Sequence, residues 1–399
     1  MLATLICRVS HSLTWRLLVA AVFLVIVMAF DLVPRSPVSP PARARWPMPD
    51  ADFSRPPSLL GQGSIPMPAQ TPAAHSSSLL AMPTDHSDAL LAFWFAGTQE
   101  SAADVGIAMS GFERHTQQWR PAAFVVERQA LGRQLGFGVR RLGNPVAWLD
   151  VHGRVHLFVV ATGLGGWAAS RIVHLRQSLE QKRPLAQSGQ ALPAIDFDAV
   201  RVLPLSWWWN ISYLVRTQPL PLQDGGMLLP VHFELGIKYP VALRFDAQGV
   251  FKGMVRMSAH THLLQPTLAA LSETGWLALL RDQRQDGRIT RVQSQDAGQH
   301  WQDLPDLALT NPDASIAAIA LAPGQLWLAH NSSRHSRNWL DLSHSLDGQS
   351  WQPVWRLAQG SGADEYSYPA LAWADDSLWV SYTDQRKRIA WQRFAWPRR

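Results

Sequence analysis

Ser294-Gln295-Asp296-Ala297-Gly298-Gln299-His300-Trp301 follows the pattern S-x-D-x-G-x-x-W. Asp296 can accept hydrogen bonds from backbone N–H groups two and more residues on, Gly298 can take a positive φ, and Trp301 caps a small apolar cluster. The string therefore reads as a rigid β-hairpin turn at the outer corner of a sheet. Ser345, Asp347, Gly348, Ser350 and Trp351 repeat it with one residue deleted, and Ser110 to Trp119 is a candidate for a decayed third copy. The two clear copies lie about fifty residues apart, the length of one propeller blade.

Outward from these turns the chain reads as short strands: Leu90 to Phe95, Arg154 to Ala161, Gly226 to Val231, Trp276 to Leu280, Gln325 to Ala329 and Ser377 to Tyr382. Helical periodicity is scarce. Its best candidate is Arg171 to Lys182, with Ile172, Leu175 and Leu179 at helical spacing, a segment that also reads as a strand running into a loop. Repeated strands joined by one kind of turn predict an all-β chain, a six-bladed β-propeller, with a β-sandwich as the alternative.

A hydrophobic share of 47%, a charged share of 17% and 19 Trp supply a large core, and most of the Trp are expected between blades. The formal net charge of +6 has a local origin, because residues 1–45 hold five Arg and one acid and leave 31 basic against 29 acidic residues. With no basic stripe and no nucleic-acid motif, binding of nucleic acid by bulk charge is excluded. Cys7 is the one cysteine, so a disulfide framework, a thiolate metal site and a Cys nucleophile are excluded from the globular part. His260 and His262 form a close pair without a third ligand nearby, and no phosphate loop, nucleophile elbow or dinucleotide fingerprint appears. No metal or cofactor is expected.

Leu17 to Phe30 is an unbroken apolar run of fourteen preceded by Arg8 and Arg16, the layout of a secretory signal or an N-terminal anchor. Residues 1–33 are read as that segment, either cleaved after Ala29 or retained in a membrane. Eleven prolines fall between Pro34 and Pro72, so 34–74 is read as a disordered, extended tether and 75–399 as the propeller. The domain is accordingly expected to be exported, either secreted or anchored facing the periplasm.

The two turn strings are Asp-boxes, and the chain around them resembles the sialidase superfamily over roughly residues 75 to 394. The resemblance is carried by Leu91 to Glu100 with Asp104 to Ile107 in a first blade, Gln265-Pro266-Thr267 with Leu279-Leu280-Arg281 in a middle one, and Asp364 to Phe394 in the last. It implies an arginine triad that grips a sugar carboxylate, a Tyr nucleophile assisted by a Glu, and an acid that protonates the leaving oxygen. Carried over, Arg281 and Arg337 match the second and third triad arginines, Tyr366 the nucleophile, and Glu100 or Asp104 the acid. Tyr368, two residues on, shares a face with Tyr366 on a regular strand.

Departures from the pattern are specific. His75 stands where the first arginine is expected, Gln265 where the Glu partner of the Tyr is expected, and Thr383 replaces a further Glu. Each loss removes stabilisation on the order of 2 to 4 kcal/mol from a transition state, which makes sialic acid itself a doubtful substrate. His232 and Glu234, with Lys238 and Tyr239, follow a strand end and suit sugar hydroxyls, and Trp207-Trp208-Trp209 reads as blade packing or a stacking wall. The expected partner is an acidic glycan and the expected activity exo-glycosidic. The alternatives are a uronate lyase with His75 and Tyr366 in proton abstraction, and a glycan-binding propeller without turnover.

Overall fold

Six antiparallel sheets follow one another along the chain. The computed structural model describes residues 13–32, 42–179, 195–206, 210–284 and 287–399. Blade 1 is Ala73–Ala81, Asp88–Gly97, Gly106–Glu113 and an outer edge split into Gln118–Trp119 and Ala123–Val126; blade 2 is Arg141–Leu149, Val155–Thr162, Ser170–Gln177 and Phe197–Val202. Blade 3 is Tyr213–Val215, Met227–Phe233, Tyr239–Phe245 and Phe251–Arg256, with Leu220–Pro221 paired alongside, and blade 4 is Leu263–Ala270, Trp276–Asp282, Ile289–Ser294 and Gln302–Leu304. Blade 5 is Ala317–Ala322, Gln325–His330, Trp339–Ser345 and Gln352–Gln359, and blade 6 is Tyr366–Ala374, Ser377–Asp384, Arg388–Ala395 and Ser58–Ser64. First strands of neighbouring blades touch, Ala73–Ala81 meeting both Arg141–Leu149 and Tyr366–Ala374, so the ring closes and these strands line its axis. The six-bladed all-β propeller read from the sequence is the fold.

Burial follows from this geometry. Each blade is apolar on both faces, and the six apolar clusters among the described residues lie one between each pair of neighbouring blades. Trp94, Trp276, Trp327 and Trp379 are fully buried in them, each ring contributing apolar area that a thin sheet lacks. Two-sided burial also explains the helix candidate at Arg171 to Lys182. Ser170–Gln177 is a strand whose Ile172 faces blade 3 while Val173 and Leu175 face blade 1, so apolar residues of both parities imitate a helical spacing. The helix Arg128–Leu135, between blades 1 and 2, has Leu131 as its one buried residue and left no such pattern.

The tether expected over 34–74 is corrected. Ser58–Ser64 is the outermost strand of blade 6, antiparallel to Arg388–Ala395 with Ser64 opposite Ala390 and Ser58 opposite Ala395, so the propeller begins before residue 75. Its glycines permit the pairing: a Cβ on Gly61 would come within 3.1 Å of the Trp391 indole. Ahead of it, residues 44–53 run as a belt beneath blades 3 to 6, on the face where the first strands end. Arg45 N–H donates to Pro221 O (2.9 Å), Trp46 Nε1 to Ala270 O (3.2 Å), Met48 N–H to Leu321 O (2.9 Å) and Asp52 N–H to Pro397 O (2.8 Å). Phe53 then packs edge-on against Trp327, Trp373 and Trp396. Prolines leave an extended backbone with few donors, and blade carbonyls satisfy those of Arg45, Met48 and Asp52. The apolar N-terminal segment is helical over Leu13–Leu32 with the side chains of 13–26 exposed; among the described residues no helix is long and apolar enough to cross a membrane.

Both Asp-boxes join third to fourth strands on the belt face, away from the axial opening. Asp347 Oδ1 accepts the N–H groups of Gln349 (2.8 Å) and Ser350 (2.7 Å), and Trp351 Nε1 donates to Gly348 O (3.3 Å); Asp296 and Trp301 repeat this with His300 N–H and Gly298 O. Ser110 to Trp119 occupies the same corner of blade 1, but Ser110 Oγ donates to Arg120 O and no Asp organises the turn. Gly348 has a φ of 71°, and a Cβ there would meet Leu277 of blade 4 at 2.6 Å, whereas Gly362, φ 56°, has open space. Gly362→Ala is expected to cost about 1 kcal/mol for its left-handed backbone, and Gly348→Ala about 2 to 4 kcal/mol through added overpacking, measured by denaturant unfolding of the two variants side by side.

Candidate active site at the axial mouth

Each inner strand contains, or has within four residues before it, a non-glycine residue of positive φ: Ser76 (57°), Asn144 (41°), Ser212 (68°), Gln265 (46°), Asp313 (52°) and Tyr368 (53°). At four of them the pairing with the second strand skips residues, between His75 and Ser78, Gly143 and Val146, Leu264 and Thr267, and Ser367 and Ala370. These are β-bulges, which re-aim side chains that a regular pleat would send elsewhere. Asn144, Gln265 and Tyr368 are each followed by proline, which fixes the backbone on the far side of the bulge.

Re-aimed in this way, side chains of different blades meet on the axis. Gln265 Nε2 of blade 4 donates to Tyr368 Oη of blade 6 (3.3 Å), and the His75 ring of blade 1 lies 4.1 Å from the Tyr368 ring. Arg281 donates through Nη1 to Gln265 Oε1 (3.2 Å) and through Nε to Asp313 Oδ1 (2.6 Å). Arg337 donates to Asp313 O (2.8 Å) and Glu365 Oε1 (3.2 Å). Glu365 also accepts from Ser367 Oγ (2.8 Å) and Arg386 Nε (2.8 Å), and Arg386 bridges on to Glu100. His75, Tyr368, Gln265, Arg281, Asp313, Arg337, Glu365, Arg386 and Glu100 thus form one continuous chain of contacts around the mouth.

Beneath them blade 3 crosses the axis. Arg216 Nη2 donates to Pro369 O (2.8 Å) and Nη1 to Ser77 O (3.5 Å), Thr217 Oγ1 donates to Pro266 O, and Gln218 Nε2 donates to the carbonyls of Leu371 and Leu79. The guanidinium carbon lies 4.9 Å from the Tyr368 ring centroid, within cation–π range. This floor was not anticipated from sequence; its one signal is a run of three polar residues directly after the buried strand Tyr213–Val215.

Electrostatics separate the members. Burial, with Arg386 nearby, pushes the His75 imidazole down to about 3, so it is neutral and brings no charge to an anion. Burial would raise Glu365, but bonds from Arg386 and Ser367 and the charge of Arg337 outweigh it and hold the carboxyl at about 2. Burial lowers Arg216 to about 10, which leaves it charged at neutral pH.

The structure brings together His75, Glu100, Gln265, Arg281, Arg337 and Tyr368. It corrects the place of Tyr366, whose ring lies 6.2 Å from that of Tyr382 in the apolar contact between blades 5 and 6. The bulge after Ser367 breaks the two-residue alternation, so the phenol that meets Gln265 belongs to Tyr368. Asp104 is also displaced from the chemistry: its carboxylate holds Thr98 N–H (2.9 Å) and Oγ1 (3.0 Å). His232 and Glu234 stand 3.7 Å apart, and Lys238 bonds Gln283, whose Nε2 reaches Asp313 Oδ2 (3.4 Å), making a side arm of the same network. Among the described residues no group of three His, Cys, Asp or Glu could hold a metal ion. Trp207 to Trp209 lie outside the described residues.

A model of the BNR repeat-like domain matches residues 88–380. Among solved structures the chain is similar to the Hadza microbial sialidase Hz136 (15% identity, TM-score 0.64, covering 81% of this chain and 66% of that one). It is similar also to Trypanosoma rangeli sialidase (13%, 0.59, 80% and 54%) and to a protein of unknown function from Dyadobacter fermentans (11%, 0.63, 86% and 99%). The chain spans less than two thirds of both sialidases, and at these identities the likeness is one of fold. A search of curated proteins finds no match.

In the unfolded chain His75 takes up a proton near pH 6.5, in the folded protein only near 3. The unfolded state therefore binds more protons between these values, and stability is lost as pH falls through 6.5. His174, also buried and held at about 3, adds to the effect. Melting temperature is expected to fall from pH 7.5 to pH 5, and less steeply in His75→Phe, whose ring keeps the contacts with Phe95 and Tyr368 while the unpartnered Nδ1 is removed.

Proposed function

Since the chain belongs to the BNR repeat-like family, we propose that it is a sialidase-like exo-glycosidase of the cell envelope that takes the terminal, carboxylate-bearing residue of an acidic glycan at the axial mouth. The observation that carries this is the convergence of Tyr368, Gln265 and Arg281 on one point of the axis, with Glu100 on the rim. Arg281 and Arg337 already hold carboxylates, those of Asp313 and Glu365, which supports reading them as the partners of a sugar carboxylate. Trypanosoma rangeli sialidase, of the same fold, has been solved in complex with sialic acid. Here the neutral His75 supplies no third cation, so a different acidic sugar is favoured.

In the proposed step Tyr368 Oη forms a bond to the anomeric carbon as the bond to the leaving oxygen breaks, and the phenol proton passes through solvent and the Glu100 carboxylate to that oxygen, so that the alcohol departs neutral. Water then hydrolyses the tyrosyl-sugar. One observation favours a second reading, binding without turnover: Gln265 presents an amide N–H to the phenol and cannot take its proton. The lyase reading has less support, because His75 is enclosed by Phe95 and Tyr368. Export is supported by the apolar run Leu17 to Phe30, which follows Arg8 and Arg16 and lies within the helix Leu13–Leu32.

Full-length protein assayed with fluorogenic α-sialosides, ulosonides and glucuronides is expected to release the aglycone from at least one acidic substrate. Tyr368→Phe is expected to lower kcat at least a hundredfold, Tyr366→Phe to leave it within about threefold, and Arg281→Ala to lower kcat/KM by 10²–10³. Retained turnover in Tyr368→Phe would rule out the covalent step; affinity without any turnover would establish the binding reading.

A further inference from the structure

We infer that Arg216 is the cation that gives the axial mouth its preference for a negatively charged ligand, an inference that rests on the acidic-glycan reading of the site. The three rim guanidiniums are each offset by a carboxylate: Arg281 by Asp313, Arg337 by Glu365, and Arg386 by Glu365 and Glu100. Arg216 is not. It is 3% exposed, its bonds go to two backbone carbonyls, and its Nε has no partner. A buried charge without a counter-charge is among the costliest things a fold can contain, and a hydrophobic residue of equal length would fill the same space.

Its placement gives the charge a use. Arg216 sits on the axis under the face of Tyr368, with Thr217 and Gln218 fastening the same segment to blades 4, 6 and 1, so it cannot swing away from the mouth. His75 beside that phenol is neutral, and the rim charges pair off. The net positive field felt by a ligand above Tyr368 therefore originates below it, across a ring that excludes water and screens little. Arg216 is a positioning residue for the anion, acting through space rather than by contact. A guanidinium that served only as a plug would favour acidic and neutral ligands alike.

The test uses the full chain and isothermal titration calorimetry with N-acetylneuraminate, D-glucuronate and the methyl esters of both. The native protein is expected to bind at least one acid more tightly than its ester. Arg216→Met is expected to lose about twentyfold in affinity for the acid, the size of a unit charge some 8–10 Å away at an effective dielectric of about 20, while ester affinity holds. Arg216→Lys is expected to retain most of the preference. Should Met at this position leave the ratio of acid to ester affinity unchanged, or weaken both ligands equally, the inference is overturned while the acidic-glycan reading stands. A native protein that does not distinguish acid from ester overturns both. If Arg216→Met does not fold, Arg216→Gln, which keeps an N–H for the Pro369 carbonyl, carries the same comparison.

Discussion

The left-handed break in the inner strands is the constraint on which the rest depends. Six strands converging on an axis cannot all keep a regular pleat, because alternate side chains would collide there. A residue with positive φ interrupts the pleat in four blades and stands just before the strand in the other two, at about 1 kcal/mol for a non-glycine residue. Each first strand also has an edge with no further strand of its own sheet beyond it, and hydroxyls take up some of the amides there. Ser76 N–H donates to Thr383 Oγ1 (3.0 Å), Ala147 N–H to Ser78 Oγ (3.1 Å) and Ala318 N–H to Thr267 Oγ1 (2.9 Å), each bond passing from one blade to the next.

What the sequence disclosed follows from this division between local and distant interactions. Asp-box turns are legible because Ser345, Asp347 and Trp351 bond within seven residues, and once they set the blade register Arg281 and Arg337 fall into place. Tyr366 and Tyr368 could not be told apart, since the choice depends on a bulge that alternation does not reveal. The outer strand Ser58–Ser64 was hidden by its composition: glycine and polar residues read as linker unless the Trp391 indole they accommodate is known. Asp313 and Glu365 were missed as occupants of the arginines because loops between blades deliver them.

The rim is a nearly neutral circuit rather than an open cationic patch. A ligand carboxylate arriving at Arg281 or Arg337 competes with Asp313 or Glu365, and the guanidiniums stay oriented whether or not a ligand is present. Pre-orientation of this kind lowers the cost of ordering long side chains on binding, at the expense of gross attraction. His75 and Gln265 fit the same pattern: both are uncharged, and neither adds an ion to the rim.

Blade 6 has a consequence in time. Ser58–Ser64 leaves the ribosome long before its partner Arg388–Ala395, and it must wait unpaired while five blades are made. An exposed strand that waits is a template for the wrong neighbour. This one holds Gly61, Gly63 and Gln62 and is largely solvent-facing even in the finished ring, a composition poorly suited to self-association. The residues that disguised it as a linker are the same ones that keep it harmless until the last blade arrives.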